Sequence, residues 1–381
     1  MASDALRSIT VKGFKSIRSI EDLSLRPINM LIGANGSGKS NFLAVFQFLK
    51  EIRDGRLRDY TARAGGSDKV LHFGSKVTSE LLIQLYLKNS EAYDDGTGTS
   101  RNYRILLGPS ADDGLFVRHE DAYYGAPPNV GTTFDNPLGL ESLARESFIV
   151  GSPELSSPEW ILECIDAIGF YSLHDTSVSA PLRKTAILHD NRQFRSDGSN
   201  LPAFLFLLQK RYRSSYDLIR RTVQQVAPFF DDFLLAPLAL NPDTIRLEWK
   251  HRGSEQYFDA SSFSDGTLRF IALATLFLQP VELRPSVILV DEPELGLHPY
   301  AIELLASLIR QASKETQVIA ATQSPLLLDH FEPEDVLVAD RVDGATEIKR
   351  LERVPLAEWL REYSLGQLWE KGELSGKPRK E

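Results

Sequence analysis

Gly33-Ala34-Asn35-Gly36-Ser37-Gly38-Lys39-Ser40 stands between an apolar run, Ile28-Asn29-Met30-Leu31-Ile32, and a segment, Asn41 to Ile52, whose Phe42, Val45, Phe46 and Leu49 recur at helical spacing. The octet fits the phosphate-binding pattern G-x-x-x-x-G-K-[ST], and its place between a predicted strand and a predicted helix is the context in which that pattern carries meaning. Glycines permit tight turns whose N–H groups aim at phosphate oxygens, and the following helix adds the positive end of its dipole. Asn35, Gly36, Ser37, Gly38 and, at the helix start, Asn41 are therefore expected to cradle the phosphates. Lys39 is expected to reach the β- and γ-phosphates, and Ser40 to hold Mg²⁺.

Working outward, Ser8 to Phe14 alternates polar with apolar residues and reads as a half-buried strand. Leu81 to Leu87, Tyr103 to Leu107 and Gly114 to Arg118 read as further strands, and with the turn-rich stretch Asp94 to Ser100 they predict an N-terminal antiparallel meander. From about Asp121 to Pro242 the pattern turns to helices broken by prolines and polar loops, strongest at Leu201 to Gln209 and Tyr216 to Val226. Strand and helix then alternate: Ile245 to Trp249, Gly266 to Gln279, Val287 to Val290, Tyr300 to Ala312 and Gln317 to Ala321. Such alternation indicates a parallel, layered α/β sheet. The expected organisation is a discontinuous head, residues 1–120 and 243–381, around a largely helical insertion or lid, residues 121–242. The tail Lys371 to Glu381 reads as frayed.

Composition narrows the function. The 381 residues, 42% hydrophobic and 25% charged, are enough to bury a substantial core. No apolar run approaches the roughly 20 residues that cross a bilayer, and Met1 to Ser8 lacks a signal-peptide apolar region, so the cytoplasm is expected and a membrane is not. Cys164 is the single cysteine, which excludes an intrachain disulfide and a cysteine-cluster zinc site. A net charge of −9 argues against a generally basic nucleic-acid-binding body, while leaving room for a local basic groove. Lys210 to Arg221 is such a basic stretch, and its helical setting reads as a solvated face.

A second chemical element is Val287-Ile288-Leu289-Val290-Asp291-Glu292, an apolar strand ending in two carboxylates. The carboxyl end of a strand is where open α/β sheets bind ligands. Asp291 can complete a Mg²⁺ shell, and Glu292 can polarise a water for in-line attack on a γ-phosphate.

Phe263-Ser264-Asp265-Gly266-Thr267-Leu268-Arg269, ahead of that strand, resembles the signature motif of ABC-type ATPases. Glu294-Leu295-Gly296-Leu297-His298-Pro299 resembles the D-loop of the clade that includes chromosome-maintenance (SMC), recombination-repair (RecF) and overcoming-lysogenisation-defect (OLD) ATPases. Gln323, in Ala321-Thr322-Gln323-Ser324-Pro325, occupies the position of that family's switch histidine. Glutamine can still bond a phosphate oxygen or the lytic water, but it cannot become cationic. Phe170 to Thr176, Arg195 to Leu201, Pro228 to Phe230 and Tyr363 to Trp369 resemble segments of a compact, single-head bacterial AAA-type ATPase family often found in phage-defence neighbourhoods. His174 and Asp175 fall near the family's Q-loop without a matching glutamine, and a polar turn is the plainer reading.

The resemblance implies an α/β P-loop head with a mixed parallel sheet. It implies ATP and Mg²⁺, with Lys39, Glu292 and Gln323 in catalysis and Ser40 and Asp291 on the metal. Ser264 and Gly266 would contact the γ-phosphate held by a second subunit. The expected function is an ATPase that closes as a homodimer, or a higher assembly of dimers, to control a co-encoded effector or a nucleic-acid transaction in phage defence. The alternatives are a repair-type ATPase that binds DNA directly and an ATPase-headed nuclease. A transporter subunit is disfavoured, because its signature would follow the phosphate loop by only about 100 residues.

Overall fold

The computed structural model describes residues 5–87, 101–124, 147 and 159–374. The expected turn Asp94 to Ser100, residues 125–146 and 148–158 of the expected insertion, and residues 375–381 of the tail lie outside them. Compactness divides the chain into two units. One holds the described residues of Met1–Ile168, Pro333–Ala357 and Lys371–Glu381; the other holds Gly169–Glu332 and Glu358–Glu370.

In the first unit, five strands form an antiparallel sheet in the order Ile17–Ser24, Leu6–Phe14, Leu81–Leu87, Arg101–Pro109, Leu115–Tyr124. Leu81–Leu87 alternates buried with half-buried residues, the period of two that a sheet imposes. The last two strands run longer than their apolar stretches, because the ladder continues through polar pairs such as Asn102 with Tyr123 and Arg104 with Asp121. Backbone pairing sets where a strand ends, and the polarity of its side chains does not.

Ile28–Ile32 belongs to another arrangement in the same unit. It is buried at every position and lies parallel to Val336–Val342, which turns back as a hairpin into Ala345–Arg350. A continuous apolar run suits a parallel strand covered on both faces. Arg350 clips the group together, donating to Asn29 Oδ1 at 2.6 Å, Ser24 O at 2.7 Å and Glu334 O at 2.8 Å. Burial lowers its guanidinium to about 10, still protonated at neutral pH. The helix Lys39–Arg53 buries Phe42, Val45, Phe46, Leu49 and Ile52 on the face its spacing predicts, and its Phe48 stacks on Phe14 at 5.4 Å.

In the second unit, Val287–Asp291 and Gln317–Thr322 run parallel, with Asp291 beside Ala321 at their carboxyl ends. The helix Asp265–Leu278 packs on the helices Arg213–Val226 and Pro299–Ala312. The expected strand Ile245 to Trp249 is two strands in different sheets. Asn241–Ile245 pairs with Pro237–Leu238 and Ala186–Ile187, whereas Glu248–His251 pairs with Phe230–Leu234 and Tyr257–Asp259. Alternation in sequence records which side chains are buried, here Ile245, Leu247 and Trp249, and is silent about which neighbour the backbone joins. The described part of the expected insertion holds the helices Glu159–Asp166, Leu201–Arg211 and Arg213–Val226 with short strands between them. Along the basic stretch, Arg213 pairs with Asp217 at 3.1 Å and Arg220 with Asp232 at 3.4 Å. No helix among the described residues is long and apolar enough to cross a membrane.

Candidate active site

The strand Ile28–Ile32 delivers the chain into Gly33 to Gly38, and the helix begins at Lys39. Gly36 and Gly38 have φ of 81° and 102°, backbone that side chains with a Cβ rarely adopt. A Cβ on Gly38 would also collide with Thr346. Lys39 is buried, and its ammonium donates to Gly33 O at 2.7 Å and Ala34 O at 3.1 Å, so the cation is folded into the loop's own concavity. Thr346 Oγ1, on the returning hairpin, bonds Ser37 O at 2.9 Å and shares a 2.7 Å hydrogen bond with Ser16 Oγ, to which Asn41 Nδ2 donates at 2.7 Å. Arg341 reaches Gly36 O at 3.3 Å. Ser37 Oγ is buried without a partner among the described residues. A buried unpaired hydroxyl in a turn that Gly36 and Gly38 hold in left-handed backbone is what a phosphate oxygen would satisfy, so the loop fits a phosphate-bearing ligand. Ser40, Asn35 and Gly36 are exposed.

The acidic residues lie in the second unit. Asp291 closes its strand, and Glu292 follows with φ 40°, its N–H held by Ala321 O at 2.8 Å. Non-glycine residues in this left-handed region store strain, which the surrounding contacts must sustain. Gln323 Nε2 donates to Glu292 Oε1, so the switch position and the second carboxylate are brought together. Glu294 is buried, bonded to Thr322 Oγ1 at 2.6 Å and to the Gln323 N–H at 3.2 Å. Ser324 caps the short helix Pro325–Leu328 that follows. On that helix sits the Tyr363 to Trp369 segment: Gly366 N–H donates to Asp329 Oδ1 at 2.6 Å, and a Cβ there would strike Pro325 O.

Ser264 is the N-cap of Asp265–Leu278, its Oγ accepting from the Thr267 N–H at 3.2 Å, and it is exposed together with Asp265. Gly266 abuts the backbone of Gly296 so closely that a Cβ would collide with its carbonyl. Phe263, just ahead, stacks on Trp249 at 4.6 Å. Two arginines complete the frame. Arg183 donates to Ala260 O and Asp265 Oδ1, both at 2.6 Å, and to Thr176 O at 2.9 Å. Arg269, 4% exposed, donates to Leu173 O at 2.9 Å, His174 O at 2.7 Å and Leu295 O. Burial lowers its guanidinium from the ordinary value. His174 thus meets Arg269 through its backbone, and Asp175 accepts from the Ser177 N–H at 3.0 Å in a polar turn.

A family model described as "AAA domain, putative AbiEii toxin, Type IV TA system" matches residues 28–329. The chain belongs to this family. Its solved structural neighbours include an SMC head bound to the C-winged helix domain of ScpA, 18% identical with a TM-score of 0.57, covering 92% of this chain and 99% of that one. Another is the SMC head with an extended coiled coil bound to the C-terminal domain of ScpA from Pyrococcus furiosus, 17% identical with a TM-score of 0.57, covering 94% and 99%. At such identities the likeness concerns the fold. No match is found among curated proteins. The chain is an AAA-domain protein, and its α/β fold is like that of the SMC heads.

For this AbiEii-like AAA chain, sequence reasoning quoted Arg269 and Glu294 only as members of motifs, without a role of their own, and gave no part to Arg183 or Thr346. Arg269 had a signal: it is the lone charge in the apolar run Leu268 to Leu278, which predicts a buried cation with partners. Thr346 had none, because its partner Ser37 lies 309 residues away.

Proposed function

We propose that the chain binds ATP with Mg²⁺, hydrolyses it, and uses ATP to close two copies head to head. The observation that carries this reading is the Glu292–Gln323 hydrogen bond, which joins a carboxylate and an amide at the ends of two parallel strands. Asn35, Gly36, Ser37 and Gly38 present the loop amides, and Asn41 extends the cradle. Lys39 leaves its two carbonyls for the β- and γ-phosphates. Ser40 and Asp291 supply one hydroxyl and one carboxylate, hard oxygen ligands of the kind Mg²⁺ takes when phosphates and waters complete its shell. When bound, Mg²⁺ neutralises charge that develops on the phosphate oxygens. Glu292 accepts the proton of the attacking water while Gln323 orients that water; the water oxygen bonds the γ-phosphorus in line as the bond to the β-phosphate oxygen breaks, and ADP leaves.

Ser264 and Gly266 stand at the exposed start of an otherwise buried helix, and in this reading they meet the γ-phosphate held by a second copy. Arg183 and Arg269 keep that helix start in place. The SMC heads similar in fold carry a bound ScpA domain. By that analogy we place a protein partner, a co-encoded effector, on residues 121–242. The toxin–antitoxin wording of the family supports an output in bacterial phage defence. Phosphate release and light scattering test the reading together. Glu292→Gln should bind ATP, hydrolyse it about 10²-fold more slowly, and accumulate as a dimer with magnesium and ATP. Wild-type turnover by that variant, or a monomer under all conditions, overturns it.

A further inference from the structure

Asp291-Glu292-Pro293-Glu294 carries three carboxylates, and the roles given to Asp291 and Glu292 leave the third unused. Glu294 is not a surface acid: it is 9% exposed, a costly place for a carboxyl group unless its neighbours need it. One of its oxygens does all the bonding. Oε1 accepts from Thr322 Oγ1 at 2.6 Å and from the Gln323 N–H at 3.2 Å, whereas Oε2 is buried without a partner among the described residues. Burial, foremost, raises the group above the ordinary carboxylate value, against the hydrogen bonds from Thr322 and Gln323.

Thr322 Oγ1 passes the linkage on by accepting from the Ser324 N–H at 3.0 Å, and Gln323 Nε2 returns to Glu292 Oε1. The contacts form a ring: Glu292 and Glu294 on one segment, Thr322, Gln323 and Ser324 on the other. We propose that Glu294 is a positioning residue, which pins the hydroxyl and amide at Thr322 and Gln323 and thereby holds the Gln323 side chain on Glu292. The proposal rests on the reading of Glu292 and Gln323 as base and switch. Removing the carboxyl group leaves one buried and one part-buried donor unpaired and frees the Gln323 backbone to turn, carrying its amide away from Glu292. Glutamine at 294 keeps one oxygen for both donors, and its amide nitrogen takes the place of an atom that makes no hydrogen bond. The charge is therefore dispensable, and the acceptor is not.

Two measurements test this. In steady-state phosphate release, Glu294→Ala should lower kcat about tenfold or more with KM for ATP within about threefold, while Glu294→Gln stays within about threefold of wild type. Glu294→Ala combined with Gln323→Ala should be no slower than Gln323→Ala alone, since the clamp acts through that side chain. The second measurement needs no turnover. In nucleotide-free protein carrying ¹⁵N-glutamine, the Gln323 side-chain resonance, identified by its loss in Gln323→Ala, should move in Glu294→Ala and hold in Glu294→Gln. Wild-type protein that releases no phosphate sinks the ATPase reading, and the resonance then decides the clamp by itself. Equal slowing by alanine and glutamine, multiplying losses at 294 and 323, or an unmoved resonance overturns the proposal. Should Glu294→Ala fail to fold, Thr322→Val removes the hydroxyl, with its bonds to Glu294 and from the Ser324 N–H, and leaves the carboxyl group in place; both readouts at wild-type values in that variant overturn it equally.

Discussion

In the phosphate loop, Lys39 finds its carbonyl partners six and five residues back along the chain. Around the signature helix, Arg269 bonds carbonyls 96 and 95 residues away, and Glu294 meets Thr322 across 28 residues. The first region is shaped mainly by glycine backbone and local contacts; the second is held by a few buried side chains that tie distant segments. A backbone-built loop tolerates loss of any one supporting side chain, whereas a tethered region should fail when its tether is cut.

The largest expected effect breaks the phosphate loop at Lys39, the cation proposed to reach the phosphates. Lys39→Ala should abolish ATP binding, read by titration with a fluorescent ATP analogue, because no other group of the loop carries positive charge to the β- and γ-phosphates. Unchanged affinity sinks the assignment of this loop.

In the second region, adding Ser264→Arg to Glu292→Gln should block dimer formation in ATP while leaving ATP binding intact, since the bulk lies on an exposed helix start and Lys39 is untouched. A double variant that dimerises as readily as Glu292→Gln alone removes the head-to-head mechanism.

Cutting a tether sharpens the comparison. Arg269→Ala strips the donor from one buried and two part-buried carbonyls, and a buried group left unpaired costs about 1–3 kcal/mol, so urea denaturation should show a loss of about 2 kcal/mol or more. Arg269→Lys should restore little, because an ammonium on a flexible stem does not reproduce the planar fork. A variant as stable as wild type shows that the region is not tethered as described.

The smallest effect belongs to the support of the phosphate loop. Thr346→Val removes the hydrogen bond to Ser37 O and should cost about 1 kcal/mol, with ATP affinity nearly unchanged. If it costs as much as Arg269→Ala, the contrast between the two regions is wrong.

These differences decide what could be read in advance. Gly33 to Ser40, the strand into Asp291 and Glu292, and the helices Lys39–Arg53 and Asp265–Leu278 were legible from sequence, because each depends on neighbours within a few turns of chain and on the burial period that writes itself into residue order. The strand ends at Arg101 and Tyr124, the division of Ile245 to Trp249 between two sheets, and the partners of Arg183, Arg269, Glu294 and Thr346 were not. Those depend on which backbone groups happen to lie opposite after the chain has closed on itself. A side chain's charge and size are carried by the sequence, but the carbonyl or hydroxyl that satisfies it from tens or hundreds of residues away exists as a neighbour only in the folded protein.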